Sequence, residues 1–336
     1  MKIAVVILNW NGLNLLKSYL PKVEAYSAKA DVWVIDNGST DQSLTYLAQS
    51  HPNVKTVALD KNYGFAEGYN RGLKNIIADL YCLLNSDVAV TANWLTPMRK
   101  HFTTHPNTAA AQPHILDLKK PTHFEYAGAA GGEIDALGYA FCRGRVFTTV
   151  EKQQGQYKGT TPILWASGAC LFIRSRVFWE CEGFDPLFFA HQEEIDLCWR
   201  LHHKGYDVMA VDEVSVFHLG GATLGVSAKK TFLNFRNTLF LLYKNLPKTK
   251  LFTTLLFRLL LDGVAGVYFL AQLKPQHCWA IIRAHFSFYA MLFTKKLKRP
   301  KRIRPYSFKV YSVVYLSLIH ISSPRDLSTS RMPSSA

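Results

Sequence analysis

The first hundred residues alternate short apolar runs with amphipathic stretches, and few architectures accept that rhythm. Strand-like runs are expected at residues 2–8, 31–36, 54–59 and 80–85, with helices near 13–26, 41–50 and 65–78 between them. Repeated strand–helix–strand units build a mostly parallel sheet with helices on both faces, so the expected class is α/β. At 336 residues and 49% hydrophobic content, the chain can bury one large core or two smaller ones. In open sheets of this kind ligands sit outside the carboxyl ends of the strands, and the residues that end each apolar run are where chemistry is expected.

Those ends are polar in a consistent way. The run Asp79-Leu80-Tyr81-Cys82-Leu83-Leu84 breaks into Asn85-Ser86-Asp87. A carboxylate there is solvated, caps the next helix before Trp94, or holds a cation. The run Asp31–Asp36 continues into Asn37-Gly38-Ser39-Thr40-Asp41, which is turn chemistry and a helix start in one segment. Asp36 therefore reads either as a turn cap or as a carboxylate for a ribose or base edge. Asn62-Tyr63-Gly64-Phe65 opens the third helix, and Gly64, Gly68 and Gly72 let backbone approach a ligand whose phosphate would meet free N–H groups. The glycine spacing is not G-x-G-x-x-G, and no G-x-x-x-x-G-K-[ST] loop occurs, which argues against dinucleotide and P-loop nucleotide binding.

Taken together, Val6-Ile7-Leu8-Asn9-Trp10-Asn11-Gly12, Ile35-Asp36-Asn37-Gly38-Ser39-Thr40-Asp41, Asn62-Tyr63-Gly64-Phe65 with Asn70, and Leu83-Leu84-Asn85-Ser86-Asp87 closely resemble the nucleotide-sugar half of family 2 glycosyltransferases. The likeness is to the rhamnosyltransferase-like branch and covers residues 2 to about 245. It implies a GT-A fold, a nucleoside-diphosphate sugar donor, and Mg²⁺ or Mn²⁺ near the diphosphate. It also implies donor contacts at Asn9, Asp36, Asn37, Asn62, Gly64, Asn70 and Asn85. The family's D-x-D triplet reads Asn85-Ser86-Asp87 here, making Asp87 the implied metal ligand and leaving Asn85 a neutral carbonyl oxygen.

Residues 113–161 read as a long excursion over the active face, where Arg143 or Arg145 either clamps phosphate or belongs to a solvated basic loop. A strand pair is expected within Ile163–Arg174. Next, Glu193-Glu194-Ile195-Asp196 puts three acids in four residues at a helix start, more than the helix dipole asks for. In the resembled family an E-D-x-D block here supplies the general base. By position Glu193 and Glu194 match the E-D pair and Asp196 the final acid, with Glu194 one methylene longer than the usual Asp. Glu194 is the implied base, taking a proton from the acceptor hydroxyl in a single, inverting displacement. His218, after the run Val214-Ser215-Val216-Phe217, matches the family histidine that completes the metal site.

Charge divides the chain. Residues 1–228 hold 20 Lys/Arg against 22 Asp/Glu, whereas residues 229–309 hold 17 Lys/Arg against the single acid Asp262. Such a basic region is suited to an anionic partner. Residues 229–245 read as a basic amphipathic helix whose Arg236 and Asn237 would close over the diphosphate. In 251–273, 13 of 23 residues are Leu, Val or Phe, but Arg258 and Asp262 cost about as much in a bilayer core as those side chains gain. A helix lying in the membrane interface is expected, with Arg258 and Asp262 on one stripe. The second apolar run, His277 to Phe293, is short for a span and carries Arg283. Lys295-Lys296-Leu297-Lys298-Arg299-Pro300-Lys301-Arg302-Ile303-Arg304 follows, and a basic run abutting apolar helices reads as an anionic-lipid anchor rather than a nucleic-acid patch.

The expected organisation is a GT-A catalytic domain over 1–228, with a nucleotide-sugar half 1–112 and an acceptor half 113–228. A membrane-associating helical region follows over 229–309, and then a tail over 310–336. From about residue 317 the tail is Ser/Pro-rich without periodicity and reads as a translated read-through artefact. The six cysteines lack any C-x-x-C pair, so neither zinc nor a disulfide framework is indicated and a reducing compartment fits. No secretory signal precedes the first strand. The expectation is a peripheral enzyme of the cytoplasmic face of the inner membrane, using a dTDP-rhamnose-like or UDP-sugar donor and a lipid-linked saccharide acceptor. The alternatives are a noncatalytic partner in a polysaccharide assembly complex and a sugar-nucleotide pyrophosphorylase. The latter would want a glycine-rich basic loop where Asn9-Trp10-Asn11-Gly12 stands.

Overall fold

A computed structural model describes residues 1–147, 149–220, 227–294, 297–300, 303–310 and 312–314. The tail from residue 317, and Lys295, Lys296, Lys301 and Arg302 of the basic run, lie outside the described residues.

The first 84 residues follow the expected rhythm: β1 (Ile3–Asn9), α1 (Leu13–Tyr26), β2 (Asp31–Asp36), α2 (Ser43–Ser50), β3 (Lys55–Ala58), α3 (Gly64–Leu73) and β4 (Leu80–Leu84). Helix α3 stops five residues short of the expected end. Asn75 donates its side-chain amide back to the Arg71 and Gly72 carbonyls, and this local bond competes with another helical turn. The chain continues through β5 (Val88–Ala89), α4 (Leu95–Thr104), β6 (Thr108–Asp117), β7 (Gly132–Ile134), β8 (Ala140–Cys142), β9 (Arg145–Val146), β10 (Thr149–Val150) and β11 (Thr161–Pro162). Then come β12 (Cys170–Arg174), α5 (Ser175–Glu180), α6 (Glu193–Lys204), β13 (Asp207–His218) and α7 (Ala228–Asn245), with α8 (Lys248–Ala271) and α9 (Pro275–Phe293) last.

Among the described residues the main sheet has the order β11-β13-β6-β12-β4-β1-β2-β3, with β5 added beside β13. Its β4-β1-β2-β3 half is parallel, as is the β6–β13 pair, while β12 runs antiparallel to both β4 and β6. Strand β1 alternates into two cores: Ala4 and Val6 face the layer with α3, α6 and α7, while Ile3, Val5 and Ile7 face α1, α2 and α4. That two-sided burial is why the strand is an unbroken apolar run.

Two expectations need correction. The stretch 163–174 holds one strand, β12, and not a pair, because the chain turns at Gly168 and Ala169 and Leu164 and Trp165 bond instead to Gly132. The 113–161 excursion is not a solvated loop: it carries the second sheet, β10-β9-β8-β7, and its arginines are stacked on aromatic rings, Arg143 on Tyr157 and Arg145 on Tyr126. Arg143 also donates to the Ala130 carbonyl and Arg145 to the Phe147 carbonyl and the Cys142 sulfur, so both arginines are held against the second sheet rather than extended into solvent.

Helices α8 and α9 form a hairpin against α7, turned inside out in its polarity. Arg258 and Asp262 are buried and paired at 2.8 Å, with His285 of α9 at 3.0 Å from Asp262 and the Arg258 guanidinium over the Tyr139 ring. Phe252, Leu260, Val264, Val267, Trp279 and Phe286 point outward, each more than half exposed. The expected stripe is present, and its charges face the protein. By length and composition α8 is long and apolar enough to cross a membrane.

Candidate active site

The carboxyl edge of the parallel strands gathers the polar ends of β1, β2 and β4. Asp36, 1% exposed, accepts from the Asn9 side chain at 3.0 Å through one oxygen and from the Ser39 backbone at 2.9 Å through the other. It is thus a turn cap tied to its neighbouring strand. Asn9 keeps a buried side-chain oxygen with no partner, a polar atom still available at the edge. Asn37 binds the Gly64 carbonyl and the Asn62 side chain, and accepts from the Tyr63 backbone, while Asn62 accepts from the Gly64 N–H. Asn70 is bonded both ways to the Phe184 backbone, which joins α3 to the segment before α6. The side chains of Asn37 and Asn70 therefore have both their donor and acceptor ends bonded to the protein, while exposed Asn62 is bonded through its oxygen.

The expectation that α3 offers free N–H groups to a phosphate is corrected. The Phe189 carbonyl accepts from Phe65 N at 2.9 Å and Ala66 N at 3.3 Å, so a peptide group of the acceptor half occupies that terminus. This close approach explains Gly64: its φ is +79°, and a Cβ would fall 2.7 Å from the Phe189 ring.

Asp87 and His218 meet because β5 pairs with the end of β13. Val88 lies opposite His218, and Leu219 N donates to the Asp87 carbonyl. The pairing sets His218 Nε2 3.1 Å from Asp87 Oδ1, with both residues buried. The cap reading of Asp87 is set aside, since its side chain reaches His218 and the α4 N-cap is Trp94 without a side-chain bond. On the other side of the ring, Nδ1 lies 3.3 Å from Glu125 Oε2, an ion-pair distance. Burial disfavours the imidazolium, but Asp87 and Glu125 outweigh it and hold His218 up at about 10. The two carboxylates thus favour a positive charge at the ring, and a cation bound beside Asp87 would take the place of the Nε2 proton. A carboxylate and an imidazole, with remaining positions open to diphosphate oxygens, are a donor set that fits Mg²⁺ or Mn²⁺. Among the described residues no three His, Cys, Asp or Glu converge as a ready-made cage. Asn85 follows β4 immediately, its backbone N–H held by the Ala169 carbonyl.

Helix α6 opens with the three acids, and the structure gives them different surroundings. Glu193 and Glu194 each keep one buried carboxylate oxygen without a partner. Burial pushes Glu194 up to about 7, and burial together with the neighbouring Glu194 raises Glu193 well above the usual carboxylate range. Asp196, 0% exposed, is fully engaged: Arg200 at 2.7 Å, Lys244 at 3.0 Å and Asn245 at 3.0 Å. Burial alone would raise it, but Lys244 and Arg200 hold it at about 2. Asp196 therefore anchors α6 to α7 and has no oxygen left for an acceptor.

Arg236 also departs from expectation. It donates to the Leu187 and Phe188 carbonyls, not outward toward a diphosphate, and burial lowers it to about 10. Beside it, Asn237 donates to the carbonyls of Phe188, Ala190 and His191 at 2.7–3.0 Å. The segment they hold is strained: Phe189, His191 and Gln192 all have φ near +65°. That backbone fixes where Glu193 and Glu194 emerge. Glu125, the Phe189 carbonyl and the role of Asn237 carry no local sequence signal, because each depends on a partner far along the chain.

A family model described as glycosyl transferase family 2 matches residues 4–181. N-acetylglucosaminyl-diphospho-decaprenol L-rhamnosyltransferase of Mycobacterium tuberculosis is 26% identical over 201 residues, which are 56% of this chain and 66% of that protein. The chain thus spans just under two thirds of that relative's length. A low-salt glycan biosynthesis hexosyltransferase of Haloferax volcanii is 22% identical over 243 residues, 70% of this chain and 73% of that protein. Among solved structures, GalNAc-T7 with UDP, GalNAc and Mn²⁺ superimposes with a TM-score of 0.58 at 16% identity, covering 74% of this chain and 49% of that one. A mannosyltransferase from Pyrobaculum calidifontis in complex with GDP-Man and Mn²⁺ gives 0.53 at 13% identity, covering 96% and 81%. At these identities the likeness speaks to the fold, which is GT-A.

Proposed function

The chain belongs to glycosyl transferase family 2, and on that premise we propose that it moves a sugar from a nucleoside-diphosphate sugar to a hydroxyl of a lipid-linked saccharide, inverting the anomeric centre. Two observations support the reading, one at each end of the stretch from α6 to β13. An Asp87–His218 contact of 3.1 Å at one side is accompanied by a carboxyl at Glu194 that burial holds near 7 with an oxygen unpaired.

The chemistry follows from charge. As the bond between the anomeric carbon and the diphosphate oxygen breaks, negative charge grows on the leaving group and positive charge on the sugar. Asp87 and His218 would hold a divalent cation, which when bound supplies positive charge to the diphosphate. Glu194, ionised above about pH 7, accepts the proton of the acceptor hydroxyl, whose oxygen forms the new bond from the opposite face. Glu193, raised by burial and by the Glu194 charge, sits beside the base on the same helix turn, and Asp196, Lys244 and Arg200 fix the helix that carries both. Asn9, Asp36, Asn37, Asn62, Gly64, Asn70 and Asn85 form the donor edge, and Arg236 acts on it only through the 187–188 backbone.

The exposed apolar face of α8 and α9, beside the basic region, supports a bilayer surface as the place of work, with the acceptor's lipid in that bilayer. The relative that acts on a decaprenol-linked sugar supports a lipid-linked acceptor, and the cytoplasmic leaflet is where nucleotide sugars and anionic headgroups meet. Screening nucleotide sugars for turnover with Mn²⁺ and with a chelator tests the reading. Metal-dependent consumption of one donor is expected, and no consumption of any donor by the folded protein would overturn it.

A further inference from the structure

His218 closes β13 with its two ring nitrogens turned to different carboxylates, Nε2 to Asp87 and Nδ1 to Glu125. Glu125 is 5% exposed and lies in the loop after β6. It does not swing freely. Its backbone N–H is held by the Ile115 carbonyl, its Oε2 accepts from Ala127 N at 2.5 Å, and a Cβ on Gly220 would meet its Oε1 at 2.8 Å. A carboxylate kept this dry is costly unless a charged or donating group sits beside it; Ala127 N–H is one donor, and the buried His218 Nδ1, 3.3 Å away and with no hydrogen bond made elsewhere, is the titratable group that faces it.

We propose that Glu125 is a positioning residue for the cation site: it takes the Nδ1 proton of His218 as a hydrogen-bond acceptor, and thereby leaves Nε2 as the nitrogen with a free lone pair on the side of Asp87. The two nitrogens of an imidazole diverge, so Glu125 cannot join Asp87 around the same ion; it acts through the ring. A carboxylate behind a histidine fixes the tautomer and orientation of the ring and makes the other nitrogen a better donor, an effect that typically changes metal affinity by about 10- to 100-fold. The inference rests on the reading that Asp87 and His218 hold a divalent cation.

The test uses the full chain without donor. Free Mn²⁺ is counted by electron paramagnetic resonance during titration of wild type, Glu125→Gln, Glu125→Asp and Asp87→Asn, and melting in chelator checks that each variant folds. Glu125→Gln keeps the shape and the acceptor for Ala127 but loses the charge, and about a 10-fold or greater rise in the Mn²⁺ dissociation constant is expected. Glu125→Asp, charged but shorter, is expected to fall between it and wild type. In the Mg²⁺-loaded protein, two-bond ¹⁵N–¹H spectra should show His218 as the Nδ1–H tautomer in wild type and a mixture in Glu125→Gln. Should Glu125→Gln bind Mn²⁺ within about twofold of wild type with the tautomer unchanged, the assignment of Glu125 is overturned while the cation site stands. Equal Mn²⁺ binding by wild type and Asp87→Asn would overturn the cation site itself, and this assignment with it.

Discussion

Phe189 sits directly over Gly64: its carbonyl accepts from the first free N–H groups of α3, and its ring fills the space where a Gly64 side chain would start. One peptide from the segment before α6 thereby closes the helix terminus that a phosphate would otherwise use. Gly64→Ala is expected to destabilise the protein by about 2 kcal/mol, combining left-handed backbone strain with the clash, and to lower the melting temperature by several degrees. Differential scanning calorimetry checks it, and an unchanged melting temperature refutes the account of this contact.

Glu194→Gln is expected to abolish transfer and preserve the fold. Wild-type kcat/KM should rise with pH through about 7 as the carboxyl ionises. Stability should move the other way. A folded-state value above the unfolded one means that the native state binds the extra proton, so this group's contribution is present below about 4.5 and is lost as pH rises through about 7. At pH 8 Glu194→Gln should therefore melt no lower than wild type. A variant that retains wild-type turnover removes Glu194 from its role.

Asp87→Asn is expected to cut transfer by 100-fold or more, since it removes the charged member of the cation pair. Chelation of wild type should give the same loss, and added Mn²⁺ should restore wild type fully. Activity that survives dialysis against chelator counts against the metal reading.

Asp196→Asn tests a different kind of acid. With Lys244 and Arg200 left buried beside a neutral amide, about 3–5 kcal/mol of stability should disappear, read by urea denaturation. Asp196 is held below its unfolded value, so its contribution is present above about 3.8 and is lost as pH falls through about 2. The acid limb of the wild-type stability curve should steepen there, and the variant should lack that component.

Placing glutamates at Phe252, Leu260 and Val264 together should reduce co-sedimentation with anionic phospholipid vesicles by at least about 100-fold, because three outward apolar side chains become charged. Raising salt should weaken wild-type binding through the basic region. Equal vesicle binding by the triple variant would show that lipid does not sit on this face.

The donor half was legible in the sequence because its information is local. A buried parallel strand must be an unbroken apolar run, and the polar residue that ends it must face the ligand edge, so Asn9, Asp36 and Asp87 could be found from their strands alone. Asp196 and Arg236 were harder, since a motif position says nothing about partners on another helix. Lys244 lies 48 residues from Asp196, and the carbonyls that hold Arg236 lie 48 and 49 residues away. Glu125 was invisible for the same reason: it meets His218 only when β6 and β13 are laid side by side. The inside-out hairpin was half legible, in that the Arg258–Asp262 stripe follows from i,i+4 spacing, whereas the turn of that stripe toward Tyr139 and His285 does not.

Helix α6 runs straight into β13, so one uninterrupted stretch of polypeptide starts at Glu193 and Glu194 and ends at His218. A chimera that exchanges this stretch between relatives would transplant the paired glutamates and the imidazole together, while strands β1 to β4 stay with the host. Recombination breakpoints placed at Gln192 and after Leu219 would preserve that coupling, and a breakpoint at Gly205, between helix and strand, would sever it.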